Sequence, residues 1–138
     1  MTKQVDTQKY TEFVNEVTSK ESKDYISFNS RCFEIQTGDD GIPIHRLLTA
    51  ACGICAEGGE FTEVVKKIVF QGKPVNDENI FHMKRELGDI MWYVAQACMT
   101  LDTTIDEIIE MNVEKLEKRY PGGSFDVHYS ENRKDGDV

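Results

Sequence analysis

The sequence predicts an all-α protein, a helical bundle of four to five helices that ends in an irregular C-terminal tail. Apolar residues recur at spacings of three, four and seven along most of the chain, which is the periodicity of amphipathic helices. Gly, Pro and Asp cluster in "TGDDGIP" and "QGKPVND", where helices are expected to end. The length of 138 residues fits one domain, which we assign to residues 1–123, followed by a polar, flexible tail over 124–138.

The first two segments with helical periodicity are residues 7–19 and 22–36. The first places Tyr10 and Phe13 on one face, and the second carries a further set of aromatic and aliphatic residues. The loop "TGDDGIP", at residues 37–43, contains the Gly, Asp and Pro that favour turns. We therefore expect two helices before the first long loop.

Three further helices are predicted over residues 44–70, 78–100 and 104–120. The loop "QGKPVND" separates the first two, and "LDTT" supplies capping residues for the third. "PGGSF" ends the third helix because Pro and two Gly cannot continue it. The apolar stripe of the 78–100 helix consists of Leu87, Ile90, Met91, Val94 and Cys98.

Charge and composition exclude several classes of function. The net charge of -9 argues against binding to a nucleic-acid backbone. We also expect no membrane association, because no apolar run is long enough to span a bilayer and the N-terminus lacks a signal-peptide apolar region. The pair Cys52 and Cys55 lies within a helical pattern, so we expect reduced, structural cysteines in a cytoplasmic protein.

Two pairs of acidic residues interrupt the two longest helices. Glu57 and Glu60 lie in "CAEGGEFTEVVKK", and Glu86 and Asp89 lie in "KRELGDIMWYVAQ". At 100° per residue, each pair falls along one flank of its apolar stripe, so two adjacent helices would bring four carboxylates together. Because their mutual repulsion would destabilise the fold, a divalent cation is expected between them. Carboxylate oxygens favour Mg²⁺, with Mn²⁺ as the other possibility.

Glycine lies within each acidic pair. Gly58 and Gly59 separate the first pair, and Gly88 lies within the second. Glycine inside a helix costs roughly 1 kcal/mol relative to alanine, so we expect neighbouring backbones to approach closely at these positions. Alternatively, the acids lie on an ordinary solvated helix face, where Glu63 and Lys67 would form a typical surface ion pair.

Magnesium held by protein carboxylates usually takes substrate phosphates as further ligands, which predicts a phosphate-bearing substrate and nearby cationic side chains. Lys67 lies on the acidic flank of its helix, and Asn112, Lys115 and Arg119 follow the edge of the last apolar stripe. From spacing alone, these side chains are equally consistent with edge positions that keep their polar ends in water. His82 shares the acidic face of its helix, although imidazole is a poor ligand for magnesium.

Four segments resemble the MazG-like nucleotide pyrophosphohydrolases in order and spacing. They are "AEGGEFTEVVKK", "ELGDIMWYVA", "LDTTIDEI" and "NVEKLEKRYPGG", and the resemblance covers about residues 47–123. It implies an all-α hydrolase that cleaves a nucleoside triphosphate to the monophosphate and pyrophosphate. It also implies assembly as a homodimer or homotetramer.

The resemblance assigns roles to individual residues. It implies that the Mg²⁺ ligands are Glu57, Glu60, Glu86 and Asp89. It also implies that Asn112, Lys115 and Arg119 contact the substrate.

For the mechanism, our hypothesis is in-line attack of water on the α-phosphorus. Glu60 or Glu63 is the candidate general base. Lys67, together with Lys115 and Arg119, would stabilise the departing pyrophosphate. Tyr93 would either line the base pocket or simply pack in the core.

Two alternatives stay open from the sequence. One is a dUTPase-type or dCTPase-type member of the same helical superfamily, since the residues do not specify base or sugar. The other is a non-enzymatic helical adaptor whose carboxylates bind a cation for structure alone.

Overall fold

The computed structural model describes residues 5–133, and every regular element in that range is a helix. The all-α prediction is thus confirmed. The helices are α1 Thr7–Val17, α2 Lys20–Lys23, α3 Tyr25–Thr37, α4 Ile44–Gln71, α5 Asp77–Thr100, α6 Ile105–Arg119 and α7 Val127–Glu131. The chain divides between His45 and Arg46 into two compact units. The assignment of residues 1–123 to a single domain stays a prediction.

The helix predicted over 22–36 is two helices, because Asp24 interrupts it. Asp24 has an extended backbone, with φ −131° and ψ 118°, between the end of α2 and the start of α3. Its carboxylate accepts hydrogen bonds from the backbone N–H of Ser27, at 2.8 Å, and from the Ser27 hydroxyl. The hydrogen bond from the Ser27 hydroxyl has the largest effect on the pKa of Asp24, followed by the one from the backbone N–H. Together they hold this pKa below its usual value. An aspartate in this position favours capping over helix continuation.

The helices α4 and α5 begin and end within one residue of the predicted bounds. Gly72 follows α4 with a φ of 70°, a left-handed conformation that glycine adopts without strain. Asn76 caps α5, its side chain accepting from the backbone N–H of Asn79 at 2.9 Å. The buried Asn79 side chain donates to the carbonyl oxygen of Pro74 at 2.7 Å. The backbone conformation of Gly72 and the hydrogen bonds of Asn76 and Asn79 thus define the two ends of the loop between α4 and α5.

Contacts between α4 and α5 show that the two helices run antiparallel. Near the start of α4, Arg46 donates from Nε to Gln96 Oε1 at 2.7 Å, close to the end of α5. About two turns further along α4, Gly53 lies against the ring of Tyr93. Ala50, between these contacts, is fully buried. The first half of α4 therefore faces the second half of α5.

The orientation of α5 differs from the one its apolar stripe predicts. Leu87 and Met91 were expected in the core, yet they are 49% and 46% exposed. Glu86, expected on a flank, is only 9% exposed. The side of α5 that contacts α4 carries Glu86, Tyr93 and Gln96. The acidic flank thus contacts α4, whereas in the apolar stripe Cys98 is buried but Leu87 and Met91 are exposed.

The expectation that neighbouring backbones approach closely at the glycines between the paired acids is wrong in this structure. A Cβ atom added at Gly58, Gly59 or Gly88 would meet nothing within 4 Å. The close approach occurs instead at Gly53, where an added Cβ would overlap the ring of Tyr93. The three glycines between the paired acids therefore leave open space beside their helices.

The last long helix, α6, begins with a reciprocal cap, as "LDTT" predicted. The backbone N–H of Glu107 donates to Thr104 Oγ1 at 3.2 Å, and the backbone N–H of Thr104 donates to Glu107 Oε2 at 3.0 Å. Asp102, in the preceding turn, has a left-handed backbone with φ 51°, which aspartate tolerates better than most residues. The turn and the cap together start α6 at Ile105.

The tail, predicted to be irregular from residue 124, contains the five-residue helix α7. Asp126 caps it by accepting from the backbone N–H of His128 at 2.8 Å. The rest of the predicted tail, residues 134–138, lies outside the described residues. Within residues 5–133, no helix combines the length and hydropathy needed to cross a membrane.

Candidate metal centre

Three carboxylates converge where α4 faces α5. One oxygen each from Glu57, Glu86 and Asp89 lies within 4.8 Å of the others. Glu57 comes from the middle of α4, and the other two lie three residues apart on one side of α5. Glu86 is buried, Glu57 is partly buried and Asp89 is exposed, so the cluster has an inner and a solvent-facing side. We call these three residues the acidic cluster.

The electrostatics of the acidic cluster favour a bound cation. Partial burial raises the pKa of Glu57, and the negative charges of Asp89, Glu86 and Glu60 raise it further. A carboxyl group in this setting resists ionisation because burial and the neighbouring negative charges disfavour its charged form. A divalent cation among the oxygens would reverse this effect.

Glu60, the fourth predicted ligand, does not belong to the acidic cluster. It lies close enough for its charge to raise the pKa of Glu57. Its side chain is exposed. The structure therefore brings three of the four predicted ligands together, and metal ligation by Glu60 stays a prediction.

His82 lies one helical turn before Glu86. Its Nε2 lies 2.8 Å from Glu86 Oε1. His82 does not belong to the acidic cluster, so its ring contacts Glu86 from outside the group of convergent oxygens. His82 thus lies on the same side of α5 as the acids, as expected, and its ring contacts Glu86.

Glu63 and Lys67 pair with each other. Glu63 contacts Lys66 Nζ through Oε2 at 2.5 Å and Lys67 Nζ through Oε1 at 3.0 Å. The hydrogen bonds from Lys66 and then Lys67 hold the pKa of Glu63 below its ordinary value. A lowered pKa weakens a carboxylate as a base. The predicted roles of Glu63 as base and Lys67 as substrate contact are untested and stay predictions.

Tyr93 lies one turn beyond Asp89 and packs against Gly53. Its ring also meets Trp92 edge to face, with centroids 4.8 Å apart. Tyr93 is partly buried, whereas Trp92 is exposed. This packing places the Tyr93 ring beside the acidic cluster along α5, and its predicted contact with a base stays a prediction.

The other predicted substrate contacts lie on α6. Asn112 is exposed, and Lys115 and Arg119 are partly buried. Both cations lie in the second half of the helix, three and seven residues after Asn112. Their predicted roles with substrate stay predictions.

Sequence reasoning missed Gly53 as a residue that shapes the site. Gly53 lies four residues before Glu57 and three after Ala50, so all three share one side of α4. This spacing was the available signal.

The donor set of the acidic cluster fits a hard divalent cation. All three groups supply carboxylate oxygen, and the cluster includes neither histidine nor cysteine. Oxygen donors of this kind suit Mg²⁺ or Mn²⁺ better than zinc or copper. Exposed Asp89 leaves an approach from solvent for a ligand that binds the same cation.

Comparison with known proteins agrees with these features. A sequence model described as the MazG nucleotide pyrophosphohydrolase domain matches residues 46–124, which include the acidic cluster. The Gene 37 protein of Mycobacterium phage L5 is 37% identical over 81 residues, or 58% of this chain and 71% of that protein. No solved structure matches the chain.

Proposed function

Because the chain belongs to the MazG nucleotide pyrophosphohydrolase domain family, we propose that it is a Mg²⁺-dependent nucleoside triphosphate pyrophosphohydrolase. It would cleave an NTP or dNTP to the nucleoside monophosphate and pyrophosphate. The observation that carries this proposal is the convergence of Glu57, Glu86 and Asp89, which supplies the negative oxygen ligands that such a cation needs. Mn²⁺ would fit the same donors.

Glu57, Glu86 and Asp89 would hold the cation. When bound, Mg²⁺ supplies charge neutralisation for the triphosphate and makes water more acidic. Glu60, outside the acidic cluster but close to it, is the carboxylate that we assign to accept the proton of the attacking water. Glu63 is the weaker candidate, because its two lysine partners lower its pKa.

The substrate contacts on α6 are assigned from the same family relationship, and those on α4 and α5 from their positions along the acidic flanks of these helices. Lys67, Lys115 and Arg119 would stabilise the charge that develops on the departing pyrophosphate. Asn112 would donate to the substrate from the exposed side of α6. Tyr93 would flank the base, because its ring lies one helical turn from the ligand Asp89.

We also propose that a second copy of the chain covers part of α4, giving a homodimer or a homotetramer. The segment 47–56, "LLTAACGICA", contains no charged residue, yet only Ala50 and Gly53 are buried. A helix segment that is apolar on all sides is expected to be buried on all sides. Exposed apolar surface of this kind favours association.

Light scattering after size-exclusion chromatography tests this assembly. We expect a mass of two or four chains for the wild type and a lower mass for Ile54→Asp, which introduces charge into the uncharged segment. The control is Lys118→Asp, because the Lys118 side chain on α6 is 81% exposed. A monomeric wild type would refute the proposed assembly.

A substrate panel tests the activity. The purified protein is incubated with each NTP and dNTP in the presence of Mg²⁺, and pyrophosphate and monophosphate are quantified. We expect Glu57→Gln and Asp89→Asn to abolish turnover while retaining the helical circular dichroism spectrum. Glu114→Gln, a change in an exposed acid of α6 outside the acidic cluster, is the matched control.

The panel also separates the open alternatives. A strong preference for uracil or cytosine nucleotides would identify a dUTPase-type or dCTPase-type enzyme. A folded wild type that binds Mg²⁺ but hydrolyses no nucleotide would refute the enzyme and favour the adaptor.

A further inference from the structure

His82 and Glu86 form a short polar contact at the edge of the acidic cluster. Nε2 of His82 lies 2.8 Å from Glu86 Oε1. The side chain of His82 is 45% exposed, whereas that of Glu86 is 11% exposed. The contact therefore joins a ring that reaches solvent to a carboxylate that largely does not.

The helix geometry makes this contact possible. Residues four positions apart on an α-helix lie one above the other, so the His82 ring reaches Glu86 without distorting α5. Glu86 is the most buried member of the acidic cluster. A buried carboxylate needs a hydrogen-bond donor, and without one its side chain has several competing orientations.

We propose that His82 is a positioning residue for Glu86, holding its carboxylate in the orientation that binds the cation. This inference rests on the proposed function, because it requires the acidic cluster to be a metal centre. The contact with His82 occupies one side of Glu86 Oε1, and the remaining lone pairs of the carboxylate stay available to a cation. The contact is attractive whenever Nε2 carries a hydrogen, which both the neutral ring protonated there and the charged ring provide.

The physical consequence is a carboxylate that needs less rearrangement when the metal binds. Groups that orient a metal ligand without touching the metal typically change metal affinity by about 10–100-fold when they are removed. His82 itself lies outside the group of convergent oxygens, so its removal subtracts no ligand from the acidic cluster. Loss of metal affinity on its removal would therefore report orientation of Glu86.

The test measures Mn²⁺ binding to the full chain without nucleotide, by the loss of the electron paramagnetic resonance signal of free Mn²⁺. The variants are His82→Leu, which removes the donor, and His82→Gln, which keeps an N–H donor of similar reach. His128→Leu, the same change on α7, is the matched control. Circular dichroism in EDTA verifies that each variant is folded, and His82→Ala replaces His82→Leu if the latter does not fold.

We expect His82→Leu to raise the dissociation constant for Mn²⁺ by about 10–100-fold. His82→Gln should recover most of that loss, and His128→Leu should bind as the wild type does. Wild-type affinity in folded His82→Leu would overturn the positioning role, and so would equal losses in His82→Leu and His82→Gln.

Failure of the metal centre itself has a different signature. In that case the wild type would bind Mn²⁺ no better than Asp89→Asn, which would overturn both the proposed metal centre and this inference. Binding that is lost in Asp89→Asn but unchanged in His82→Leu would overturn the inference alone.

Discussion

Tyr93 of α5 packs so closely against Gly53 of α4 that no side chain fits between them. A Cβ atom at residue 53 would overlap Cγ, Cδ1 and Cε1 of the ring. Because Glu57 lies one turn after Gly53 in α4 and Asp89 lies one turn before Tyr93 in α5, this contact contributes to the spacing between the two sides of the acidic cluster. Gly53 thus has a packing role that the other helical glycines lack.

We predict that Gly53→Ala lowers the free energy of unfolding by about 1–3 kcal/mol, because a methyl group forces the Tyr93 ring or one helix to move. Urea denaturation followed by circular dichroism at fixed protein concentration measures the change. The control is Gly88→Ala, where an added Cβ meets nothing within 4 Å. That change should raise stability by up to about 1 kcal/mol. Equal effects of the two substitutions would contradict the role of Gly53.

The raised pKa of Glu57 predicts how metal-free stability depends on pH. Burial first, and then the neighbouring acids, make folded Glu57 bind its proton more tightly than the unfolded chain does. The contribution of Glu57 to stability is therefore complete below the ordinary glutamate pKa and is lost as the pH rises through the raised value. Glu57→Gln should stabilise the metal-free protein above this window and have little effect below it.

Thermal melts in EDTA across the acidic range, with wild type and Glu57→Gln compared at each pH, measure this effect. The comparison is needed because Glu63 and Glu107 have lowered pKa values and produce the opposite trend in both proteins. Adding Mg²⁺ should stabilise the wild type most at the higher pH, where Glu57 is ionised. A pH-independent difference between the two proteins would contradict the prediction.

The contrasting surroundings of Glu60 and Glu63 predict which acid transfers the proton. Glu63 is paired with two lysines, whereas Glu60 lies beside the acidic cluster. We expect Glu60→Gln to lower kcat by about 10²–10⁴-fold. Glu63→Gln should leave kcat little changed and lose at most about 1 kcal/mol of stability, as is typical of exposed ion pairs.

Mn²⁺ affinity decides between the two predicted roles of Glu60. A general base can be replaced without weakening metal binding, so Glu60→Gln should retain the wild-type dissociation constant. A weaker affinity in that variant would instead make Glu60 the fourth ligand. A larger loss of kcat in Glu63→Gln than in Glu60→Gln would reverse the assignment.

The reciprocal cap at the start of α6 predicts a loss of stability in Thr104→Ala. The substitution removes the hydroxyl that accepts from the backbone N–H of Glu107. We expect a decrease of about 1 kcal/mol in the free energy of unfolding, measured by urea denaturation. The control is Thr62→Ala, because the Thr62 hydroxyl donates within α4 to the Gly58 carbonyl oxygen and caps nothing. A loss of similar size in the control would exclude capping as the cause.

Helix boundaries were the part of the fold that sequence predicted best. Gly72 sets the end of α4 through its backbone conformation, and Asn76 sets the start of α5 through its capping hydrogen bond. The break at Asp24 was missed although its signal, an aspartate three residues before Ser27, is equally local. Such signals involve neighbours in the chain, which is why they can be read without knowledge of the tertiary structure.

The sequence by itself also determined which residues are candidates for the metal, since the spacing of Glu86 and Asp89 places them on one side of any helix. Only the tertiary structure decided that this side contacts α4 while Leu87 of the apolar stripe is left exposed. Helical period follows from hydrogen bonds four residues apart, whereas the rotation of one helix against another depends on the shapes of both surfaces. The contact of Gly53 with Tyr93 belongs to that second kind of information, because it joins residues forty positions apart.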